Sequence, residues 1–99
     1  MVEINWTEQS LDDINNIAEF IAKDSVKYAK IQVELFFERT HILRSMPISG
    51  KIVPELNKTK IRELNSGNYR IIYKIIDKQR IDILSVHNGY RLLKTTKLK

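Results

Sequence analysis

The stretch that decides the fold is residues 68–91, NYRIIYKIIDKQRIDILSVHNGYR. In its first half Ile71, Tyr73 and Ile75 alternate with Arg70, which is the period of a strand with one apolar face. The second half, from residue 81 to residue 87, is rich in β-branched and long aliphatic side chains. Because the polar run between the halves is short, the stretch predicts a long antiparallel hairpin.

The position of the turns sets the register of the predicted strands. A turn over Asp77–Arg80 pairs Ile76 with Ile81, Ile72 with Ser85, and Arg70 with His87. A turn at Ser66-Gly67 in the preceding hairpin pairs Leu64 with Arg70 and Arg62 with Ile72. Arg62, Arg70 and His87 then share one sheet face, and a slip of one residue at either turn would separate them. That face is the candidate site.

Length and composition indicate a single α+β domain covering residues 1–99. The chain has 42% apolar and 29% charged residues, which is ordinary for a globular protein, and it contains no cysteine for a disulfide or a thiolate metal site. The first residues lack the basic and apolar segments of a signal peptide, and no window approaches the roughly 20 apolar residues of a membrane span. We therefore expect a cytoplasmic protein without a membrane partner.

Charge is unevenly distributed along the chain. The net charge is +5, yet residues 1–24 hold six acidic residues against the single Lys23. The chain is basic from Lys51 onward and ends in Arg91, Lys94, Lys97 and Lys99. A basic half favours an acidic partner such as RNA, DNA or an acidic protein segment, and a solvated basic tail is the simpler interpretation.

The remaining periodicities predict the order β-α-α-β-β-β. Apolar alternation indicates a first strand over 2–6, and Thr7 is a good N-cap for the helix that follows. The predicted helices cover about 7–23 and 25–46, and the later strands lie near 60–65, 69–77 and 80–87. The second helix carries two apolar stripes, which requires two neighbours. The fold expected is a helical hairpin on a mainly antiparallel four-stranded sheet, with Trp6, Tyr69 and Tyr73 in its core.

Several short motifs follow one another along nearly the whole chain. They are Trp6-Thr7, Leu11-Asp12-Asp13-Ile14, Ile21-Ala22-Lys23-Asp24-Ser25, Pro47-x-x-Gly50, Val53-Pro54-Glu55-Leu56, Arg62-Glu63-Leu64, Asn68-Tyr69-Arg70-Ile71-Ile72-Tyr73 and Val86-His87-x-Gly89. This ordered set resembles the RelE/ParE toxin superfamily. The resemblance implies a growth-inhibiting bacterial toxin of a type II toxin-antitoxin module, of the kind that stabilises plasmids, neutralised by a cognate antitoxin. It also implies a sheet with one face covered by the helical hairpin and the other face open.

The superfamily divides by target, and the resemblance favours its ParE-like branch, whose members poison DNA gyrase. The long helical hairpin and the segment Val53-Pro54-Glu55-Leu56 look like that branch. RelE-like members instead cleave mRNA on the ribosome, and they commonly carry lysines on the strand before a conserved arginine. Aligned on Tyr69-Arg70, those positions hold Ile61 and Glu63 here. A ribosome-dependent endoribonuclease is therefore the alternative, and a basic RNA-binding or protein-interaction module is the second alternative.

The nuclease alternative assigns a role to four residues. Glu55, Arg70, His87 and Tyr90 could fill the glutamate, arginine, histidine and tyrosine positions of one nuclease group in the superfamily. Arg70 would stabilise the phosphorane and His87 would protonate the leaving oxygen. The simpler interpretations are an ion pair of Arg70 with Glu63 or Asp82, and a backbone-bonded histidine at a strand end.

Target binding by either kind of toxin would use basic side chains. The candidates are Arg62, Arg70, Arg91 and Lys94. The chain contains no phosphate-binding loop, no nucleophile elbow and no zinc-ligand spacing. We therefore predict neither a cofactor nor a metal ion.

Overall fold

A computed structural model of the chain describes residues 1–89. The elements are β1 (Glu3–Trp6), α1 (Glu8–Ala22), α2 (Val26–Thr40), a 3-10 turn (His41–Arg44), β2 (Lys51–Ile52), β3 (Ile61–Ser66), β4 (Tyr69–Ile75) and β5 (Arg80–Asn88). The predicted α+β class and element order are confirmed. Within residues 1–89, neither helix has the length and apolar character needed to cross a membrane.

Side-chain caps determine where both helices begin. The Thr7 hydroxyl accepts a hydrogen bond from the Ser10 amide at 3.2 Å, and the Ser25 hydroxyl accepts one from the Tyr28 amide at the same distance. The Thr7 hydroxyl also donates to the Ile83 carbonyl at 2.6 Å. The cap of α1 is therefore joined to the middle of β5, which fixes the helix on the sheet.

The second helix ends earlier than residue 46, the end predicted from the sequence. It stops at Thr40, and the chain continues as a 3-10 turn in which Leu43 is fully buried. The Val2 amide donates to the Arg44 carbonyl at 3.0 Å, so the turn is held against the start of β1. The predicted helix was too long because helical periodicity in the sequence does not report these tertiary contacts of the 3-10 turn.

The sheet has five strands in the order β1-β5-β4-β3-β2, one more than predicted. Strand β1 is parallel to β5, and the other neighbours are antiparallel. The additional strand, β2, has only two residues and pairs with β3 through Lys51–Glu63 and Ile52–Arg62. Two residues are too few to show a period of two, so the sequence pattern did not reveal this strand.

The β4–β5 register agrees with the prediction at one end only. Arg70 faces His87 and Ile72 faces Ser85, as predicted. The predicted pair Ile76–Ile81 is wrong, because a register shift between Ile72 and Tyr73 pairs Ile75 with Ile81 instead. The shift leaves Leu84 as an extra residue in β5, and such a β-bulge is not visible in an apolar run.

The predicted β3–β4 register is wrong by one residue. Leu64 pairs with Ile71 and Arg62 with Tyr73, because the two turn residues are Gly67 and Asn68. Gly67 has φ +57°, and glycine at the first central position of a two-residue turn is the type II′ preference. Arg62 therefore lies on the opposite face from Arg70, and Glu63 takes the place that was predicted for Arg62.

Apolar side chains pack on both faces of the sheet. The main core lies beneath the helices and includes Phe36, Leu43, Ile71, Tyr73, Ile81 and Ile83, with Trp6 and Tyr69 packed against it as predicted. On the other face Val53, Ile61 and Ile72 form a second cluster with Leu56 and Leu84. The segment after β2 thus covers part of the face that the family resemblance implies to be open.

Candidate functional site

An open cleft of about 630 Å³ lies beside the β3–β4 turn on the face away from the helices. Its lining includes Lys51, Glu55, Glu63, Asn65, Tyr69, Arg70 and Gly89. Glu63 and Arg70 come from adjacent strands, and Glu55 comes from the segment that follows β2. The cleft brings together Glu55 and Arg70, which the sequence proposed for one site.

Arg70 is held between two carboxylates in the floor of this cleft. Its Nη1 and Nη2 donate to the two oxygens of Glu55 at 2.8 and 2.9 Å, which is a bidentate fork. Its Nε donates to Glu63 Oε2 at 2.9 Å, and Nη2 bonds the same oxygen. The side chains of Arg70, Glu55 and Glu63 are only 10%, 16% and 3% exposed. Four of the five N–H donors that a guanidinium carries are therefore directed at carboxylates.

The electrostatics of this cluster follow from its composition. The hydrogen bonds that Arg70 donates to Glu55 are the largest influence on the pKa of Arg70. Burial lowers this pKa and Glu63 raises it further, so the pKa lies above its ordinary value. Lys51 Nζ lies 3.4 Å from the other oxygen of Glu63, with its side chain 64% exposed. Two cations and two anions give a locally neutral cluster. The ion-pair interpretation of Arg70 is confirmed, with Glu63 as a partner, whereas Asp82 pairs with Arg80 at 2.7 Å.

His87 lies opposite Arg70 in the sheet, on the face that was predicted for both. Its Nε2 is 2.8 Å from Ser85 Oγ, two residues earlier on the same strand. Among the described residues, His87 is not part of the cleft lining, which includes Gly89, just after the end of β5, but no residue of β5 itself. The structure therefore brings the arginine and the histidine together by register, but directs the imidazole nitrogen towards Ser85.

The other predicted binding residues have different positions. Arg62 donates from Nη1 to the Gly50 carbonyl at 3.0 Å and from Nε to the Thr59 carbonyl at 2.9 Å, so its guanidinium holds two loops. The prediction that Arg62 shares a face with Arg70 and His87 is wrong. Tyr90, Arg91 and Lys94 lie outside the described residues. Within residues 1–89, no group of three or more His, Asp or Glu side chains is placed to hold a metal ion.

Comparison with known proteins identifies the family. Residues 4–93 match the family model described as the ParE toxin of the type II toxin-antitoxin system, parDE. The chain belongs to the ParE toxin family. This ParE-family chain is accordingly the toxin component of a type II toxin-antitoxin pair, and its partner is an antitoxin. No curated protein sequence matches it significantly.

Solved structures of toxin-antitoxin complexes share the fold of this ParE-family toxin. A chain of the chromosomal ParDE system from Pseudomonas aeruginosa superposes with a TM-score of 0.72 at 18% identity, covering 89% of this chain and 96% of that one. A chain of the toxin-antitoxin complex RelBE2 from Mycobacterium tuberculosis gives 0.56 at 19% identity, covering 88% and 96%. Both likenesses are to the fold alone.

The ParE-family toxin exposes an apolar stripe on α2. Tyr28, Ile31 and Leu35 are 65%, 40% and 44% exposed, and they follow one another at helical spacing. A separate shallow apolar groove of about 400 Å³ runs between α1 and α2, lined by residues that include Ala18, Ala22 and Val33. The second stripe predicted for this helix is thus left uncovered by residues 1–89.

Proposed function

We propose that this toxin inhibits DNA gyrase by binding to it and does not cleave RNA. The observation that carries the proposal is the neutralised state of Arg70, the basic residue on which an RNA-cleaving site would depend. The family resemblance adds that ParE-like toxins act on gyrase. Gyrase is a cytoplasmic enzyme, so the cytoplasm is where we expect the toxin to act and, when free of antitoxin, to stop growth.

Phosphoryl transfer needs positive charge at the developing phosphorane. Arg70 already directs four donors at Glu55 and Glu63, and Glu63 is almost fully buried. Turning the guanidinium towards a phosphate would leave that carboxylate, among residues 1–89, with only the exposed Lys51 as an ion-pair partner, and breaking a buried ion pair costs about 3–5 kcal/mol. The two carboxylates would also repel the phosphate, so the cluster is better suited to holding the β2–β3 segment in place.

Two assays on the purified toxin test this proposal. DNA supercoiling by gyrase reports the proposed target, and cleavage of ribosome-bound mRNA reports the alternative target. We expect inhibited supercoiling, intact mRNA and little change in either result for His87→Ala, because His87 contacts Ser85 and lies outside the cleft.

The endoribonuclease alternative predicts the reverse, and it draws on the Arg70–His87 pairing in the sheet. Codon-phased mRNA cuts that His87→Ala reduces by roughly 10² to 10⁴, the range for an acid-base group, would overturn the proposal if supercoiling stayed normal. His41→Ala is the matched control, since His41 is an exposed histidine at the end of α2.

We further propose that the antitoxin covers the apolar stripe on α2. Exposed apolar side chains at helical spacing favour an amphipathic segment laid along the helix. The double variant Ile31→Glu/Leu35→Glu should no longer copurify with the antitoxin. Ile48→Glu, which changes an apolar and more exposed side chain in the loop before β2, should still copurify. Equal retention of both variants would show that the antitoxin binds elsewhere.

A further inference from the structure

The end of the sheet opposite the Arg70 cleft carries an unusual density of positive charge. Two loops meet there: residues 57–60, which lead into β3, and residues 77–80, which join β4 to β5. We call these two loops the basic rim. The rim contains Lys58, Lys60, Lys78 and Arg80 but only one acidic residue, Asp77.

Backbone hydrogen bonds hold the two loops of the rim side by side. The Ile75 amide donates to the Lys60 carbonyl at 2.8 Å, which ties the first loop to the end of β4. The Ile76 amide donates to the Arg80 carbonyl at 3.0 Å, which closes the second loop, and the Ile61 amide donates to the Lys58 carbonyl at 3.2 Å. The lysines therefore belong to loops that are hydrogen-bonded to the ends of β3, β4 and β5.

Three acidic residues lie in or beside the rim, namely Asp77, Asp82 and the exposed Glu3, which is the register partner of Arg80 in the sheet. Asp77 Oδ1 accepts the Gln79 amide at 2.7 Å, and Asp82 is bound by Arg80. Lys58, Lys60 and Lys78 are exposed, and within residues 1–89 none of them forms an ion pair. Three uncompensated charges thus face solvent together.

We propose that the basic rim binds the phosphate backbone of duplex DNA. The two loops lie at the ends of the neighbouring strands β3, β4 and β5. Two inter-strand spacings separate β3 from β5, which is about 10 Å. A duplex presents one phosphate per roughly 1.7 Å of axis, or about six over that length, which is ample for three lysines. Contacts of this kind carry no sequence preference.

The composition of the rim separates duplex DNA from other acidic partners. Residues 57–60 and 77–80 contain no aromatic side chain. Single-stranded RNA is usually bound by stacking its bases on aromatic side chains, and protein interfaces are anchored by aromatic and other large apolar residues. The rim supplies neither, whereas backbone phosphates need only exposed cations.

The proposal that the rim binds DNA does not depend on the proposal that the toxin inhibits gyrase, although a toxin acting on gyrase would meet DNA at its target. DNA binding can be measured with the toxin and a duplex alone. A toxin that failed to inhibit gyrase would still be expected to bind DNA, and the loss of DNA binding would leave the gyrase assay intact.

The test is the salt dependence of binding of the full-length toxin to a fluorescent 20-base-pair duplex between 50 and 200 mM salt. Each phosphate contact contributes about 0.9 to the slope of log affinity against log salt concentration. Lys58→Gln/Lys60→Gln/Lys78→Gln should therefore lower that slope by about 2.7. The control, Lys23→Gln/Lys27→Gln/Lys30→Gln, removes the same charge from exposed positions of the helical hairpin and should leave the slope nearly unchanged.

Four results would overturn the proposal. Equal losses in both triple variants would mean that net charge alone governs binding. An unchanged slope in the rim variant, or no binding to the duplex, would mean that the rim does not contact phosphates. Rim-dependent binding of a single-stranded RNA of equal length that is tighter than duplex binding would assign the surface to a different nucleic acid.

Discussion

Replacing Arg70 with methionine should destabilise the protein more than any other single removal of a surface or cleft charge. The substitution keeps a long side chain but leaves Glu63, whose side chain is 3% exposed, without its guanidinium partner. Removing one partner of a buried pair costs about 3–5 kcal/mol. Lys51 remains 3.4 Å from the other Glu63 oxygen, so the lower end of that range applies. A loss of about 3 kcal/mol is a large part of the roughly 5–15 kcal/mol available to a small domain.

This loss of stability can be measured by thermal and urea unfolding, with circular dichroism as the signal. For a domain of this size each kcal/mol lowers the midpoint by about 4–8 °C, so Arg70→Met should unfold at least about 12 °C below the parent. Arg80→Met is the matched control. The Arg80 side chain is 52% exposed in its pair with Asp82, and Asp82 keeps a hydrogen bond from Asn5, so the midpoint of this variant should stay close to that of the parent.

A second substitution separates the buried charge from lost packing. Adding Glu63→Gln to Arg70→Met removes the unpaired carboxylate and should recover part of the lost stability, because a neutral amide is less costly to bury than a charge. Equal midpoints for Arg70→Met and Arg80→Met would refute the argument that the cleft cluster is a buried, mutually dependent ion pair.

Three further predictions concern hydrogen bonds and close packing elsewhere. Tyr73→Phe should lose about 1–3 kcal/mol, because the phenol oxygen accepts the Gly50 amide at 3.0 Å and donates to the Pro47 carbonyl at 2.8 Å. Burial raises the pKa of Tyr73 in the folded protein. The neutral phenol therefore contributes its full stabilisation below about pH 10, the unfolded pKa, and this stabilisation is lost as the pH rises through the higher folded pKa. Denaturant unfolding should show a steeper loss of stability at alkaline pH in the parent than in Tyr73→Phe. Gly50→Ala should lose about 1–3 kcal/mol in the same measurement, because a Cβ would lie 2.6 Å from both the Glu63 carbonyl and the Tyr73 hydroxyl oxygen. Thr7→Ala should lower the melting midpoint through about 1–2 kcal/mol of lost capping, whereas Thr7→Ser should retain most of it.

Each of these has an outcome that contradicts it. Parallel alkaline profiles for the parent and Tyr73→Phe would mean that the phenol is not held neutral by burial. A stable Gly50→Ala would mean that the loop before β2 moves easily, and equal midpoints for Thr7→Ala and Thr7→Ser would mean that the hydroxyl does not cap α1.

The candidate site was only partly accessible from the sequence. Arg70 and Glu55 were identified as partners of one site, and they meet in the cleft. The Arg70–His87 pair was placed correctly because the extra residue of the β5 bulge offsets the one-residue error at the β4–β5 turn. Arg62 was misplaced because the β3–β4 turn starts one residue later than assumed, and a shift of one residue moves a side chain to the other face.

The sequence by itself determined the α+β class, the order of the helices and strands, and the family, because periodicity and short motifs are local properties of the chain. Only the tertiary structure decided which charges meet. The neutral cluster in the cleft depends on the two-residue strand β2 and on the position of the β3–β4 turn. The pairing of β2 with β3 joins segments that are distant in sequence, and a shift of one residue at the turn exchanges Arg62 for Glu63 on the cleft face.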